Sequence, residues 1–243
     1  MSYINLANYL KDCQNGISPY HKENSVERIA NLCYWDAKSK TVYQPWATDL
    51  LPNEIDPNNV VMFDPKRRSI NYIGAIYEHN RETVQAFERA AKVHKIQFIT
   101  AKNIPEEATY DLVRDSYITV DLRGPWHVEC GYIPCRIFKN ISYGKPIGTN
   151  SPHVHEIMSG YVAYDPDPYN LFSTTEKYYK NLDRQKMQEA MRLVQAEHPY
   201  INRVQNLLKL ISHRRYFPYD SLTNSCCPWN SSVPISSQYK YRH

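Results

Sequence analysis

The six cysteines of this chain, Cys13, Cys33, Cys130, Cys135, Cys226 and Cys227, form no C-x-x-C pair. No matching histidine pair completes a zinc set, so the spacing excludes the common structural zinc sites. Adjacent Cys226 and Cys227 make a poor structural disulfide because neighbouring Cβ atoms diverge. Reduced thiols in a cytoplasmic protein are therefore expected. An apolar run approaching the ~20 residues of a membrane span is also lacking, and the opening MSYINLANYLKD has no signal-peptide hydrophobic region. Charge of one sign is weak. The net charge of +4 is spread out, with Lys66–Arg68 and His213–Arg215 the only basic clusters, which argues against a nucleic-acid partner. It agrees with a small anionic ligand. Glycine is scarce, 7 residues against 21 tyrosines in 243, and tyrosine suits surfaces that stack on sugars or bases. No internal repeat is visible.

What is present is an alternation of strands and helices. Ile70–Ile73, Ile96–Thr100, Tyr117–Leu122, Lys145–Thr149 and Tyr161–Tyr164 read as strands. Asn80 is a helix cap before Val84, Phe87 and Ala91, and Glu106–Asp115 is a short helix with Ala108 and Leu112 on one face. Ile133, Ile137, Phe138 and Ile141 recur at helical spacing; Pro134 suits the first turn and Gly144 stops it. Helices are predicted again over Asp167–Tyr179, Asp183–Glu197 and Pro199–Ser212. Parallel strands need crossover helices, so the fold class is α/β, a doubly wound parallel sheet with a C-terminal helical segment. Residues 1–65 read as a partial N-terminal region, closing in the strand TVYQ and a proline- and asparagine-rich linker over Asp49–Pro65. Residues 66–212 form the domain proper, and 213–243 a poorly ordered tail.

Candidate chemistry gathers where these strands end, because open α/β sheets bind ligands outside the carboxyl ends of their strands. Gly74, with Asn80 and Arg81 following, lies at the end of the first strand; an ordinary tight turn with an exposed arginine has the same sequence. Arg123, Gly124, Pro125 and Trp126 follow the third strand. Trp126 is placed to stack on a base, or equally to pack over the sheet end. The run from His127 to Glu156 then carries Glu129, Arg136, Lys139 and Asn140 in a loop and at a helix start, a receptor for a diphosphate. His153 and His155 have no orienting carboxylate nearby in sequence, so neither is named as a base.

The pattern R-x-F-K-x-x-x-x-G-x-P, formed by Arg136, Phe138, Lys139, Gly144 and Pro146, resembles the donor-binding segment of GT-B glycosyltransferases. GYIPCRIFKN followed by SYGKPIGTNS is most similar to a viral and bacterial group near the spore-coat-type and fucosyltransferase-like enzymes. QPWATDLLP resembles the passage from the family's first domain to its linker, and the segment from His198 to Leu208 its closing helix. The resemblance implies a Rossmann-like half of a GT-B fold. It implies transfer of a sugar from a nucleoside-diphosphate sugar to a hydroxyl acceptor, with no cofactor and no metal; Asp165-Pro-Asp167 fits a turn rather than a metal-binding D-x-D. The implied donor-binding residues are Gly74, Arg81, Trp126, Glu129, Tyr132, Ile133, Arg136, Lys139 and Asn140. The family often has glutamate, a ribose ligand, where Lys139 stands, which leaves that role to Glu129 or Asn140. Only one Rossmann-like half is found. A shortened enzyme, a fragment, and a donor-binding half working with a second chain are all compatible with that, as is a nucleotide-binding module without turnover. A base marked by the sequence is not found among His21, Glu23, Glu27 and Asp36.

Overall fold

The structure, a computed structural model, describes residues 34–36, 41–43, 45–129, 131–158, 160–205 and 208. Expectations that fall on residues 1–33 and 209–243, and on Cys130, lie outside the described residues. Two short strands, β1 (Tyr34–Asp36) and β2 (Thr41–Tyr43), pair antiparallel with Tyr34 opposite Tyr43. Of the strand expected at TVYQ, Thr41–Tyr43 form β2, and Gln44 lies outside the described residues.

The proline- and asparagine-rich stretch that follows makes turns, as its composition predicts. Asp56 and Asp64 each accept a hydrogen bond from the backbone N–H two residues on, at 2.9 Å, the local bond that lets Asp replace a backbone turn. Its reading as a surface linker needs correcting. Ile55 and Val60 are buried in the main core, and Gln195 donates to the carbonyls of Pro52 and Ile55 at 2.7 and 2.9 Å. Two apolar side chains among polar ones are enough to lay the loop onto the domain.

Strand β3 (Ser69–Ile73) pairs in parallel with β4 (Gln97–Ala101). Between them runs α1 (Glu78–Val93), which buries Val84, Phe87 and Ala91 on one face. Asn80 is not the cap that the sequence suggested. It sits in the first turn, and its Oδ1 accepts the N–H of Tyr77 at 2.7 Å, satisfying a donor that the helix start leaves open. After β4 come α2 (Glu106–Asp115) and β5 (Val120–Asp121). A short helix α3 (Pro125–Glu129) leads to α4 (Cys135–Ser142), β6 (Gly148–Thr149) and α5 (Pro152–Met158). Then follow β7 (Ala163–Tyr164), α6 (Pro168–Asn181) and α7 (Arg184–Glu197), with residues 200–205 again helical. Strands β5, β6 and β7 pair in parallel in that order. The ladder uses only two residues of each strand, fewer than YITVDL and KPIGT predicted. Still, Gly148 N–H reaches Thr119 carbonyl at 2.9 Å just before it.

The result is an α/β fold with small parallel sheets, as a Rossmann-like domain has. The N–H of Tyr117 donates to Ser69 carbonyl at 2.7 Å, and that of Asn71 to Ser116 Oγ at 2.9 Å, so the chain entering β5 lies beside β3. Alternate residues of a strand point to opposite faces, and two apolar clusters divide them. Ile70, Tyr72, Ile118, Val120 and Leu122 pack with α1 and α6. Ile147 packs with α4, α5 and α7, while its neighbour Gly148 lies so close to Thr175 of α6 that a Cβ would meet its Oγ1 at 2.0 Å. Each fully buried Phe or Leu in these clusters contributes about 1.5–3 kcal/mol. Gly144 ends α4 at φ +79°, where a Cβ would also meet the Asn59 carbonyl at 2.1 Å, so conformation and space both call for glycine.

The segments on either side of the domain meet. Thr48 N–H donates to His198 carbonyl at 3.0 Å, and Tyr200 N–H to Thr48 carbonyl at 3.1 Å. Arg203 donates to the carbonyls of Pro45 and Trp46 at 3.1 and 3.3 Å. His198 is fully buried and stacks on Phe138 at 4.2 Å; burial and the charge of Arg203 hold its pKa well below the usual value. Among the described residues no helix is long and apolar enough to cross a membrane.

Candidate functional site

The side chain of Arg136, in the first turn of α4, joins the carboxyl ends of two strands. Its Nη2 donates to Ile73 carbonyl at the end of β3 at 2.7 Å, and its Nη1 to Tyr72 Oη at 3.1 Å. Nη1 also lies 3.3 Å from Asp121 Oδ1 at the end of β5, and the guanidinium covers the Tyr72 ring at 4.3 Å. Gly74 makes room for this. A Cβ there would lie 2.1 Å from Arg136 Nη2, and the residue sits at φ +155°.

Asp121 is the anchor. It is fully buried, and its Oδ1 accepts from Arg123 Nε at 2.7 Å as well as from Arg123 Nη2 and Arg136. Thr149 Oγ1 reaches its Oδ2 at 3.4 Å. Burial opposes the charge on Arg123, but the charge of Asp121 and its hydrogen bond outweigh it and raise the pKa of Arg123 above the ordinary value. Two guanidinium groups thus share one carboxylate, and the cluster keeps a net positive charge. Asn150 fixes the loop behind it. Its Oδ1 accepts Arg123 N–H at 2.7 Å and its Nδ2 donates to Arg123 carbonyl at 2.8 Å. Ser151, fully buried next in sequence, leaves its Oγ without a hydrogen-bond partner.

A row of rings flanks the arginines. Arg123 lies over Tyr132 at 5.4 Å, Tyr132 is 5.0 Å from His127, and His127 is 4.6 Å from His79 and 5.2 Å from Trp126. Tyr77 stacks on His79 at 5.4 Å. Tyr77 and Trp126 are both 54 % exposed, so the row opens to solvent at one end and reaches Arg123 at the other. Burial, then the charges of Arg123 and His79, push the pKa of His127 down to about 4, and its Nδ1 has no hydrogen-bond partner. The imidazole is therefore neutral near pH 7.

The structure brings together some of the residues singled out from sequence and separates others. Gly74, Arg136, Tyr132 and Trp126 line this edge. Arg81 on α1 and Glu129 at the end of α3 are exposed. Ile133 is 1 % exposed within the core; its place in the apolar stripe of α4 outweighs its nearness to the loop. Asn140 is buried in α4, and its carbonyl accepts Lys145 N–H at 3.0 Å. Lys139, expected to share a diphosphate with Arg136, instead holds Asp49 Oδ2 at 2.5 Å. Asp165 and Asp167 use their oxygens locally, on the N–H of Asp167 and the hydroxyl of Thr174, and on the first N–H groups of α6.

Asp121, His79, Thr149 and Asn150 were not recognised from sequence as site residues. Asp121 had a signal. In YITVDL it breaks the apolar content of a strand that is buried on both faces, at its carboxyl end, and a buried charge there demands a partner. Comparison with protein-family models, with curated proteins and with solved structures finds no match to this chain.

Proposed function

We propose that the chain binds a nucleoside-diphosphate sugar at the carboxyl edge of β3 and β5 and transfers its sugar to a hydroxyl acceptor. In this reading the domain is a doubly wound, Rossmann-like half of a GT-B glycosyltransferase. The observation that carries it is the Arg123–Asp121–Arg136 cluster: two fixed guanidinium groups with one carboxylate between them, beside an opening row of aromatic rings. When the bond from the anomeric carbon to the diphosphate breaks, negative charge grows on the leaving group. Preorganised guanidinium groups stabilise that charge without needing to reorient. The place fits as well. The chain entering β5 lies beside β3, and this reading takes the β3–β4 and β5–β6–β7 sheets as one doubly wound sheet whose order reverses between β3 and β5, the kind of switch point where open sheets hold ligands. The contact of 45–48 with 198–203 joins the two segments that resemble the family's linker and closing helix.

A reading as a nucleotide-binding module without turnover has its own support, since Asp121 is held by Arg123, Arg136 and Thr149 and is not free to act as a base. The test is a thermal-shift panel of UDP, GDP, CDP and ADP and their glucose or mannose esters, with wild type and Arg136→Lys. Stabilisation by one nucleotide class, weakened tenfold or more in apparent affinity by Arg136→Lys, is the expected result, and release of diphosphate from the sugar ester distinguishes enzyme from binding module. No stabilisation of the folded protein by any nucleotide contradicts both readings.

A further inference from the structure

The helical residues after α7 turn the wrong side to the domain. Arg203 is the buried one. It donates to the carbonyls of Pro45, Trp46 and Glu197 and covers the Phe138 ring at 5.6 Å. Its apolar neighbours Ile201, Val204 and Leu208 are 45–60 % exposed. They stand three and four positions apart, so they share one helix face. A surface helix ordinarily turns such a face to the core and its charged residues to water. Trp46 and Tyr200, exposed at the same meeting of segments, enlarge the apolar patch. Single exposed apolar side chains are ordinary, but a contiguous group of them marks a surface that something covers.

The chain supplies a cover. In the antiparallel pair β1–β2, Tyr34 lies opposite Tyr43. The segment ahead of Tyr34, outside the described residues, therefore joins β1 on the side where Tyr43 continues, through one residue, to Pro45 and Trp46. Cα atoms of such a pair lie about 4.5–5.5 Å apart, and each further residue adds at most about 3.6 Å. Residues just before Tyr34 thus begin beside the patch, with no long loop to close. Their sequence, NSVERIANLC from Asn24, sets Val26, Ile29, Ala30 and Cys33 at the spacing of one helix face and Glu27, Arg28 and Asn31 at that of another. Asn24 stands three residues before Glu27, a helix-start signature. Val26 to Cys33 and Ile201 to Leu208 are stripes of equal length, about 10 Å at 1.5 Å per residue.

We propose that residues 24–33 of this chain cover the face of Ile201, Val204 and Leu208, apolar stripe against apolar stripe, with Trp46 at the edge. This cover needs no nucleotide at Arg136.

The experiment records amide spectra and hydrogen exchange of the full chain as wild type, Ile29→Asp, Glu27→Gln and Val204→Asp. Ile29→Asp is expected to shift the amides of Trp46, Ile201, Val204 and Leu208 and to speed exchange at Val204, Gln205 and Leu208 by about tenfold or more. Glu27→Gln, on the polar side, is expected to leave them in place. Val204→Asp, at an exposed position, is expected to speed exchange over residues 26–33 by a similar factor. The amides of Val84, Phe87 and Ile118, in the other cluster, report that each variant is folded; where Ile29→Asp is not, Val204→Asp decides. Wild-type shifts and exchange in the facing segment of either folded variant overturn the proposal. Shifts at Ile201, Val204 and Leu208 that respond to dilution of the wild type and not to Ile29→Asp assign the face to a second copy. A response to deletion of residues 213–243 and not to Ile29→Asp assigns it to the tail. Either result also overturns the proposal.

Discussion

Two buried cations at different places in the domain meet opposite fates. Arg123, at the carboxyl edge, lies against the equally buried Asp121 and stays charged. Lys145, which follows α4 and precedes β6, is fully buried over the Tyr179 ring at 5.5 Å, with no hydrogen-bond partner for its Nζ. Burial, then the charges of Arg67 and Arg114, bring its pKa down to about 7. A buried charge persists only where a partner and hydrogen bonds replace water. The carboxyl edge therefore holds fixed positive charge, while Lys145 contributes an apolar stem and an amine that loses its proton near pH 7.

The largest break in this comparison is removal of the shared carboxylate. Asp121→Asn leaves Arg123 and Arg136 facing each other without their anion, and urea unfolding is expected to show a loss of about 3–5 kcal/mol. Next comes the pH dependence of Lys145. Its pKa is depressed in the folded state, so the unfolded chain binds more protons between pH 7 and the ordinary lysine value. Stability is expected to rise with pH across that window, by on the order of 3 kcal/mol. In Lys145→Met that rise should disappear and the protein should be more stable at pH 7; an unchanged slope contradicts the assignment.

A smaller effect is expected from Gly74→Ala. The added methyl displaces the Arg136 guanidinium and imposes an unfavourable backbone angle, at about 1–3 kcal/mol. Nucleotide affinity should fall with it, which a surface change would not produce. The smallest concerns His127. With a folded pKa of about 4, below the unfolded value, its contribution is complete above the ordinary histidine pKa and is lost as pH falls toward 4. His127→Phe is expected to flatten this slope by about 1 kcal/mol after solvent screening.

Much of the element order was legible because helices and buried strands carry local periodicity. Val84, Phe87 and Ala91 announced α1, and Gly144 the end of α4; the helices read over Asp167–Tyr179 and Asp183–Glu197 are α6 and α7, with Asp167 and Asp183 as their caps. The site was legible only in outline. Placing Arg136 and Gly74 on one strand edge needed nothing beyond the βα order. Asp121 acquires its role from residues 2 and 15 positions ahead of it, brought together by the sheet. Lys139 finds Asp49 90 positions away, a pairing that no helix pattern contains. Ile55 and Val60 were hidden by the prolines and asparagines around them, since turn-forming residues mark a loop but do not say whether its apolar members find a core.

The most direct test of the proposed donor site is amide chemical-shift mapping of the folded protein with UDP, GDP, CDP and ADP in turn. Saturable shifts centred on Gly74, Ala75, Arg123, Gly124 and Tyr132 are the predicted result. Shifts confined to the Arg67, Arg114 and Lys145 neighbourhood would contradict the account, because the ligand would then sit around the buried lysine and not with the Asp121-paired arginines.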